Sequence, residues 1–191
     1  MRTVPLENWV VESAKFDQAI RTAAESILGF VFEDESSYLQ ACLTPSLGGL
    51  GLRKTAVHAD TAYVASFLEA RGESGESWAT PAIVLSSQPR DQKHASFDID
   101  KQIHADLVSR AMTRREKKRL ERITEPHAGA WVTAVPSNDD GIDTVMKPQV
   151  FRTAVAYRLG AKVVPHEIPC PLCMQTVDVY GDHASCCERT G

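Results

Sequence analysis

The chain of 191 residues is long enough for one domain of ordinary size, or for one domain with a small appendage. Hydrophobic residues make up 43% of it and charged residues 24%, so most of the chain is expected to bury a core. The formal net charge of −4 argues against nucleic-acid binding by bulk electrostatics alone, although a local basic patch is compatible with it.

The sequence contains no run of about twenty apolar residues, which a membrane-spanning helix requires. Residues 1–9 also lack the apolar stretch of a secretory signal peptide. Four of the five cysteines lie within residues 170–191, which suits a metal site better than a scattered disulfide framework. We therefore expect an intracellular, reducing compartment, with nucleus and cytoplasm both open, and no membrane partner.

Apolar residues recur at three- and four-residue steps over residues 11–29, which predicts an amphipathic helix that ends at Gly29. Acidic and serine residues from Asp34 open a second, shorter helix, which runs to Cys42. Cys42 lies far from the other cysteines in sequence and is expected to pack as a small hydrophobic side chain. The glycine-rich segment 43–53 lacks the spacing of a phosphate-binding loop, so we expect a tight turn there.

A helix is expected at about 55–70, where small residues form a face suited to close helix contact and His58 lies toward the rim. Residues 71–93 show little periodicity, which predicts a loop or linker. The next helix is expected from about residue 98.

The one concentration of basic residues follows Thr113, which has the spacing of a capping box with Glu116 and therefore predicts a helix over residues 114–123. Two interpretations of this helix are open, a solvated charged surface or a face that contacts phosphates. On the second interpretation, the contacts come from Arg114, Arg115, Lys118 and Arg122.

Residues 130–136 are apolar and β-prone, and they end at a proline. The adjacent carboxylates Asp139 and Asp140 suit a turn better than a catalytic pair. Pro148 begins a last helix, which Gly160 caps, and a short extended link then leads to the cysteines.

The cysteine-rich tail has the spacing of a metal site. Cys170 and Cys173 are separated by two residues, so their sulfur atoms can converge on one point. His183 follows nine residues later, and either Cys186 or Cys187 can supply a fourth ligand. Three cysteines and one histidine form a closed tetrahedral site of the structural zinc type. The pattern predicts bound Zn²⁺ rather than disulfides or free thiols.

Taken together, these elements predict a mainly α fold, a helical bundle-like domain with a small C-terminal zinc knuckle. The expected segments are an N-terminal helical part, a loop or linker, a second helical part and the knuckle, at residues 1–70, 71–93, 94–165 and 166–191.

Several short motifs stand in a fixed order along the chain. They are Phe16-Asp17, Leu47-Gly-Gly-Leu-Gly-Leu-Arg53, His58-Ala-Asp-x-Ala-Tyr63-x-Ala-Ser66, Ala128-Gly-Ala-Trp131-Val-x-Ala134-x-Pro136, Phe151-Arg-x-Ala-x-x-x-Arg158-Leu-Gly160, and Cys170-Pro-Leu-Cys173 with Gly181-Asp-His183. In this order the chain, from about residue 15 onward, resembles the region downstream of the polymerase core in reverse transcriptases of non-LTR retrotransposons.

The resemblance implies a mostly helical region that ends in a Cys-Cys-His-Cys knuckle. In that family the knuckle closes with Gly-Asp-His-Ala-x-x-Cys, which selects Cys187 over Cys186 as the fourth ligand. The chain departs from the family in having no Tyr/Phe-x-Asp-Asp polymerase motif and nothing like the carboxylates and lysine of the downstream nuclease. We therefore expect no enzymatic activity.

Two functions follow as expectations. The first is a non-catalytic, zinc-stabilised module that handles RNA or DNA, with the polymerase and endonuclease domains of a parent polyprotein as further partners. The alternative is an inactive remnant or protein-interaction module without nucleic-acid binding, whose small-residue face at 56–70 is a docking surface. The acidic net charge favours the alternative, since a free-standing nucleic-acid binder is usually more basic.

Overall fold

The structure, a computed structural model, describes residues 6–74, 82–85, 91–135, 137 and 145–189. The predicted mainly α fold with a small C-terminal Cys/His cluster is confirmed. Among the described helices, none is both long enough and apolar enough to cross a membrane. The elements are α1 (Val10–Leu28), α2 (Glu35–Cys42), α3 (Thr55–Ser74), α4 (Ala82–Leu85), α5 (Gln92–Arg110), α6 (Arg114–Arg122), α7 (Ala130–Thr133), α8 (Pro148–Leu159), β1 (Ile168–Pro169), β2 (Thr176–Val177) and α9 (Asp182–Cys186), with short 3₁₀ helices at Leu6–Asn8 and Pro45–Leu47.

Two of the helix starts that carry a capping side chain agree with the sequence. The Asp34 carboxylate accepts a hydrogen bond from the backbone N–H of Ser37, and the Thr113 hydroxyl accepts one from the N–H of Glu116. Each bond satisfies one of the N–H groups that the first turn of a helix leaves without an intrahelical partner. α2 and α6 therefore begin where the sequence predicts.

Other boundaries differ from the prediction. α3 continues to Ser74, and α5 begins at Gln92 because the Asp91 carboxylate caps it by accepting the N–H of His94. The expected loop or linker at 71–93 is thus helical at its described ends and in α4, while residues 75–81 and 86–90 lie outside the described residues.

The β-prone stretch 130–136 begins with a helical turn, because its first four residues form α7. Trp131 packs edge-on against Phe151 of α8, with ring centroids 6.2 Å apart. This tertiary contact overrides a weak local β preference. Asp139 and Asp140, in the predicted turn, lie outside the described residues.

Two apolar clusters hold the helices together. The first joins α1, α2 and α8, and the second joins the end of α2 to α5 and α6. Helices on both sides of residues 71–93 therefore share a core. Cys42 lies buried in the first cluster, as expected for a small hydrophobic side chain. The buried members are Ala24, Leu28, Phe32, Tyr38, Ala41, Cys42, Val155 and Leu159 in the first cluster and Leu43, Leu107 and Leu120 in the second.

His58 is buried rather than at the rim of α3. Its Nε2 atom lies 3.3 Å from Oδ1 of Asp100, a carboxylate of α5 that is 1% exposed. The other carboxylate oxygen, Oδ2, accepts the backbone N–H of Thr44 at 3.2 Å. A buried carboxylate requires such polar partners, so Asp100 draws the imidazole inward and ties α3 and α5 to the chain after α2.

A second polar network lies between α2, α6 and α8. Gln40 is 1% exposed, and its side-chain amide donates to the carbonyl oxygens of Gly48 and Arg158, each at 3.1 Å. The Arg119 guanidinium donates to the Gln40 side-chain oxygen and to the same Arg158 carbonyl, both at 2.7 Å. The network therefore links the glycine-rich turn to three helices.

The glycine-rich turn fits closely against the end of α2, as the sequence predicts. The N–H of Leu50 donates to the carbonyl of Ala41, and the N–H of Gly51 donates to the carbonyl of Leu43. A Cβ atom at Gly49 would lie 1.9 Å from the Leu43 carbonyl oxygen, which is inside van der Waals contact with the backbone. Only glycine allows this approach without moving the main chain.

We expect Gly49→Ala to lower the free energy of unfolding by at least about 1–3 kcal/mol, because the new methyl group overpacks a backbone atom that cannot rotate away. Gly72→Ala is the matched control, since a Cβ atom there meets nothing within 4 Å inside α3. The control is expected to gain about 0.5–1 kcal/mol from the better helix propensity of alanine. Urea unfolding of both variants measures the difference, and equal changes would contradict the close packing of the turn.

Candidate metal centre

The first half of the site is a small hairpin. β1 and β2 pair antiparallel, with Ile168 opposite Val177 and Pro169 opposite Thr176. The turn between them returns sharply, because the N–H of Cys170 donates to the Gln175 carbonyl at 2.7 Å. Cys170 and Cys173 lie in this turn, the first buried and the second partly buried.

The second half is the short helix α9. His183 lies in the first turn of α9. Cys187 comes four residues after His183, directly after the last residue of the helix, which places both side chains on one side. The Asp178 carboxylate fixes the entry to α9 by accepting the N–H groups of Tyr180 at 2.8 Å and His183 at 3.2 Å. These bonds carry the chain from β2 back toward the hairpin.

The four side chains converge. The ligand atoms of Cys170, Cys173, His183 and Cys187 all lie within 4.8 Å of one another. The Sγ atoms of Cys170 and Cys187 are 3.9 Å apart, and Sγ of Cys173 lies 3.1 Å from Nε2 of His183. A tetrahedron with metal–sulfur bonds of about 2.3 Å has edges of about 3.8 Å, so the cluster can hold one metal ion with modest adjustment.

Cys186 lies outside this cluster. Its side chain is exposed, and its thiol donates to the Asp182 carbonyl at 3.3 Å. Of the two adjacent cysteines, only Cys187 is buried against the hairpin. The geometry therefore brings Cys187 to the cluster and leaves Cys186 facing solvent.

The surroundings of Cys170 favour a metal ligand. Hydrogen bonds from the backbone N–H groups of Cys173 and Leu172 lower the pKa of the Cys170 thiol to about 6. A thiolate is the form of cysteine that binds a metal, and backbone N–H groups stabilise its charge. The tight turn thus reverses the chain and also directs hydrogen-bond donors at the Cys170 sulfur.

Arg115 connects the metal cluster to α6. Its guanidinium forms a two-pronged ion pair with the Asp182 carboxylate, in which Nη2 lies 2.9 Å from Oδ1 and Nε contacts Oδ2. The same guanidinium lies over the ring of Tyr180, 4.1 Å from its centroid. Because Asp182 immediately precedes His183, this contact fixes the metal-binding tail against the helical core.

The four residues predicted to contact nucleic acid do not form a single unoccupied face. Arg115 is held by the tail, whereas Arg114, Lys118 and Arg122 are exposed on α6. Lys118 pairs with Glu121 at 2.8 Å and Arg122 with Glu125 at 3.1 Å, both as exposed pairs within one helical turn. Such pairs stabilise little and can exchange for another anion.

The prediction missed Arg119 among the basic residues of α6. Its guanidinium is half-buried in the Gln40 network, where burial first, and repulsion from Arg115 second, lower its pKa to about 10. A helical period would have indicated this position, since residues 115, 119 and 122 lie on one face. The sequence does not indicate, however, that a buried amide lies beside this position and forms a hydrogen bond with the arginine.

Comparison of the chain with protein-family models, with curated proteins and with solved structures finds no match. The resemblance to the region downstream of a retrotransposon polymerase core therefore stays a prediction from the sequence.

We expect Cys187→Ser to lower metal affinity by more than the roughly 10- to 100-fold that substitutions around metal ligands cost, because the hydroxyl is a poor substitute for a buried thiolate ligand. Cys186→Ser is the matched control, one residue away and exposed. It is expected to keep wild-type affinity in a competition titration against a chromogenic chelator. Loss of affinity in the control with retention in Cys187→Ser would show that Cys186, and not Cys187, is the fourth ligand.

Proposed function

We propose that this chain is a non-catalytic, zinc-stabilised module that handles nucleic acid. The observation that carries the proposal is the physical connection between the metal cluster and the basic helix α6 through Arg115 and Asp182. The basic helix, which the helical core holds in place, is thereby bonded to the tail that folds around the metal. The module positions nucleic acid without chemical catalysis, and its charged side chains hold a phosphate backbone against a fixed surface.

Zinc is the metal that the donor set fits. Three thiolates and one imidazole are soft and borderline ligands, which favour Zn²⁺ over Ca²⁺ or Mg²⁺. Four protein ligands complete a tetrahedron and leave no open position for a water or substrate, as in structural rather than catalytic sites. This donor set supports the proposal that the chain is not an enzyme.

The partners proposed are RNA or DNA and, following the sequence resemblance, the polymerase and endonuclease domains of a parent polyprotein. The acidic net charge of −4 still favours the alternative, an inactive remnant or a protein-interaction module. On the α3 face expected to dock in that alternative, Ala59 and Ala62 are buried within the chain. The connection between the Cys/His tail and the basic helix is the observation that favours nucleic-acid handling.

Removal of the metal is expected to unfold the tail, because the hairpin and α9 are too short to be stable without it. Titration of loaded, ¹⁵N-labelled protein with a strong chelator should collapse the backbone amide signals of residues 170–187. The signals of Leu28 and Leu159, which are buried in the first apolar cluster, serve as an internal control and should persist. Unchanged signals over 170–187 would contradict a stabilising role of the metal.

Nucleic-acid binding is tested by titrating loaded protein into labelled structured RNA and duplex DNA at low and moderate salt. We expect salt-sensitive binding, and we expect the double variant Lys118→Ala with Arg122→Ala to reduce the salt slope by about one unit per lost phosphate contact. The double variant Lys93→Ala with Lys101→Ala removes the same charge from exposed positions on α5 and should bind like wild type. No binding at low salt would instead support the remnant or protein-interaction module.

A further inference from the structure

A groove opens between α6, α8 and the start of α9, with a volume of about 380 Å³. One wall consists of four cationic side chains of α6, and the facing walls include Tyr157 of α8 and Asp182 of the tail. Their positions on three separate elements make this a built cleft rather than the surface of one helix. The cationic wall is formed by Arg115, Lys118, Arg119 and Arg122.

The charge balance of the groove favours an anion. Four cationic side chains line it. Arg115 is paired with Asp182, while Lys118 and Arg122 are paired with Glu121 and Glu125 in exposed ion pairs that another anion can replace. Within the described part of the chain, the Arg119 guanidinium donates only to neutral oxygens, those of Gln40 and Arg158. Repulsion between Arg115 and Arg119 contributes to the lowered pKa of Arg119. A bound anion would offset this crowding of positive charge.

The size of the groove favours a single strand. Pockets that hold one small ligand measure roughly 300–1,000 Å³, so this groove has room for about one nucleotide unit and not for the width of a duplex. Tyr157 is 40% exposed between two buried neighbours, Ala156 and Arg158, which fixes the backbone that carries its ring. A base can stack on an aromatic ring only if it is not already stacked inside a helix.

We propose that this groove binds single-stranded nucleic acid, with one phosphate against the cations of α6 and a neighbouring base against Tyr157. The inference rests on the proposed function and adds the form of nucleic acid and the place where it binds. The metal-binding tail supplies one wall through Asp182, so metal loading and strand binding are thermodynamically linked. Each should change the affinity for the other by the same factor.

The first test compares a labelled single-stranded oligouridylate with a blunt duplex of equal phosphate number, using the full chain loaded with zinc. Wild type is expected to bind the single strand more tightly. Tyr157→Leu should weaken single-strand binding by roughly 5- to 100-fold, the range for loss of one stacked base, and should leave duplex binding unchanged. Tyr157→Phe keeps the ring and should restore binding.

The second test separates the two sides of α6. Lys118 lines the groove, whereas its neighbour Lys117 is exposed and does not. Lys118→Ala should weaken single-strand binding several-fold and Lys117→Ala should not, although both remove one charge from the same helix. Circular dichroism and thermal unfolding verify that each variant is folded, and these lysine variants decide the question if Tyr157→Leu does not fold.

The outcomes distinguish the two proposals. Absence of binding to either nucleic acid at low salt overturns the proposed function and this inference together. Binding with a preference for duplex, with equal effects of the two lysine substitutions, or with full affinity in folded Tyr157→Leu overturns the groove and leaves nucleic-acid handling in place.

Discussion

The helical part of this protein depends on one buried carbonyl oxygen, that of Arg158, which accepts from both the Gln40 side-chain amide and the Arg119 guanidinium. Arg119 bonds to Gln40, and Arg158 donates to the carbonyl oxygens of Pro45 and Ala128 at 2.7 and 3.0 Å. Burial lowers the pKa of both guanidinium groups, yet each stays cationic near neutral pH. Removing one acceptor from such a network typically costs about 1.5–3 kcal/mol, because a buried charged donor loses a hydrogen-bond partner.

The consequence of this network is a fixed position for α6. Arg119 anchors the helix on one side, while Leu120, 2% exposed, packs in the second apolar cluster. Arg115 lies one turn earlier on the same face and reaches Asp182, so the metal-binding tail inherits its orientation from the core. That contact is one of those that hold the hairpin and α9 against the helical part of the protein. A series of short polar contacts thus connects the centre of the fold to its metal cluster.

Local sequence was sufficient wherever a side chain acts on its own neighbourhood. Asp34 and Thr113 cap the helices that they precede. The apolar pattern of α1 and α8 is buried only in part, because Ala24, Leu28, Val155 and Leu159 lie in the core, whereas Phe16 and Ile27 are exposed. The misjudged elements are those in which tertiary contacts outweigh local preference. Trp131 is helical because its ring packs on α8. His58 lies inside rather than at the rim, where its imidazole is next to a buried carboxylate.

The sequence by itself predicted the Cys/His cluster. Two residues between Cys170 and Cys173, and three between His183 and Cys187, are spacings that a hairpin and one helical turn convert directly into proximity. Only the tertiary structure decided what the basic residues of α6 do. A charge on a helix has the same local preference whether it points to water, to Asp182 or to Gln40, so its role depends on which distant element packs against it. Because of that packing, Arg115 binds Asp182 of the tail and Arg119 belongs to the buried network around Gln40.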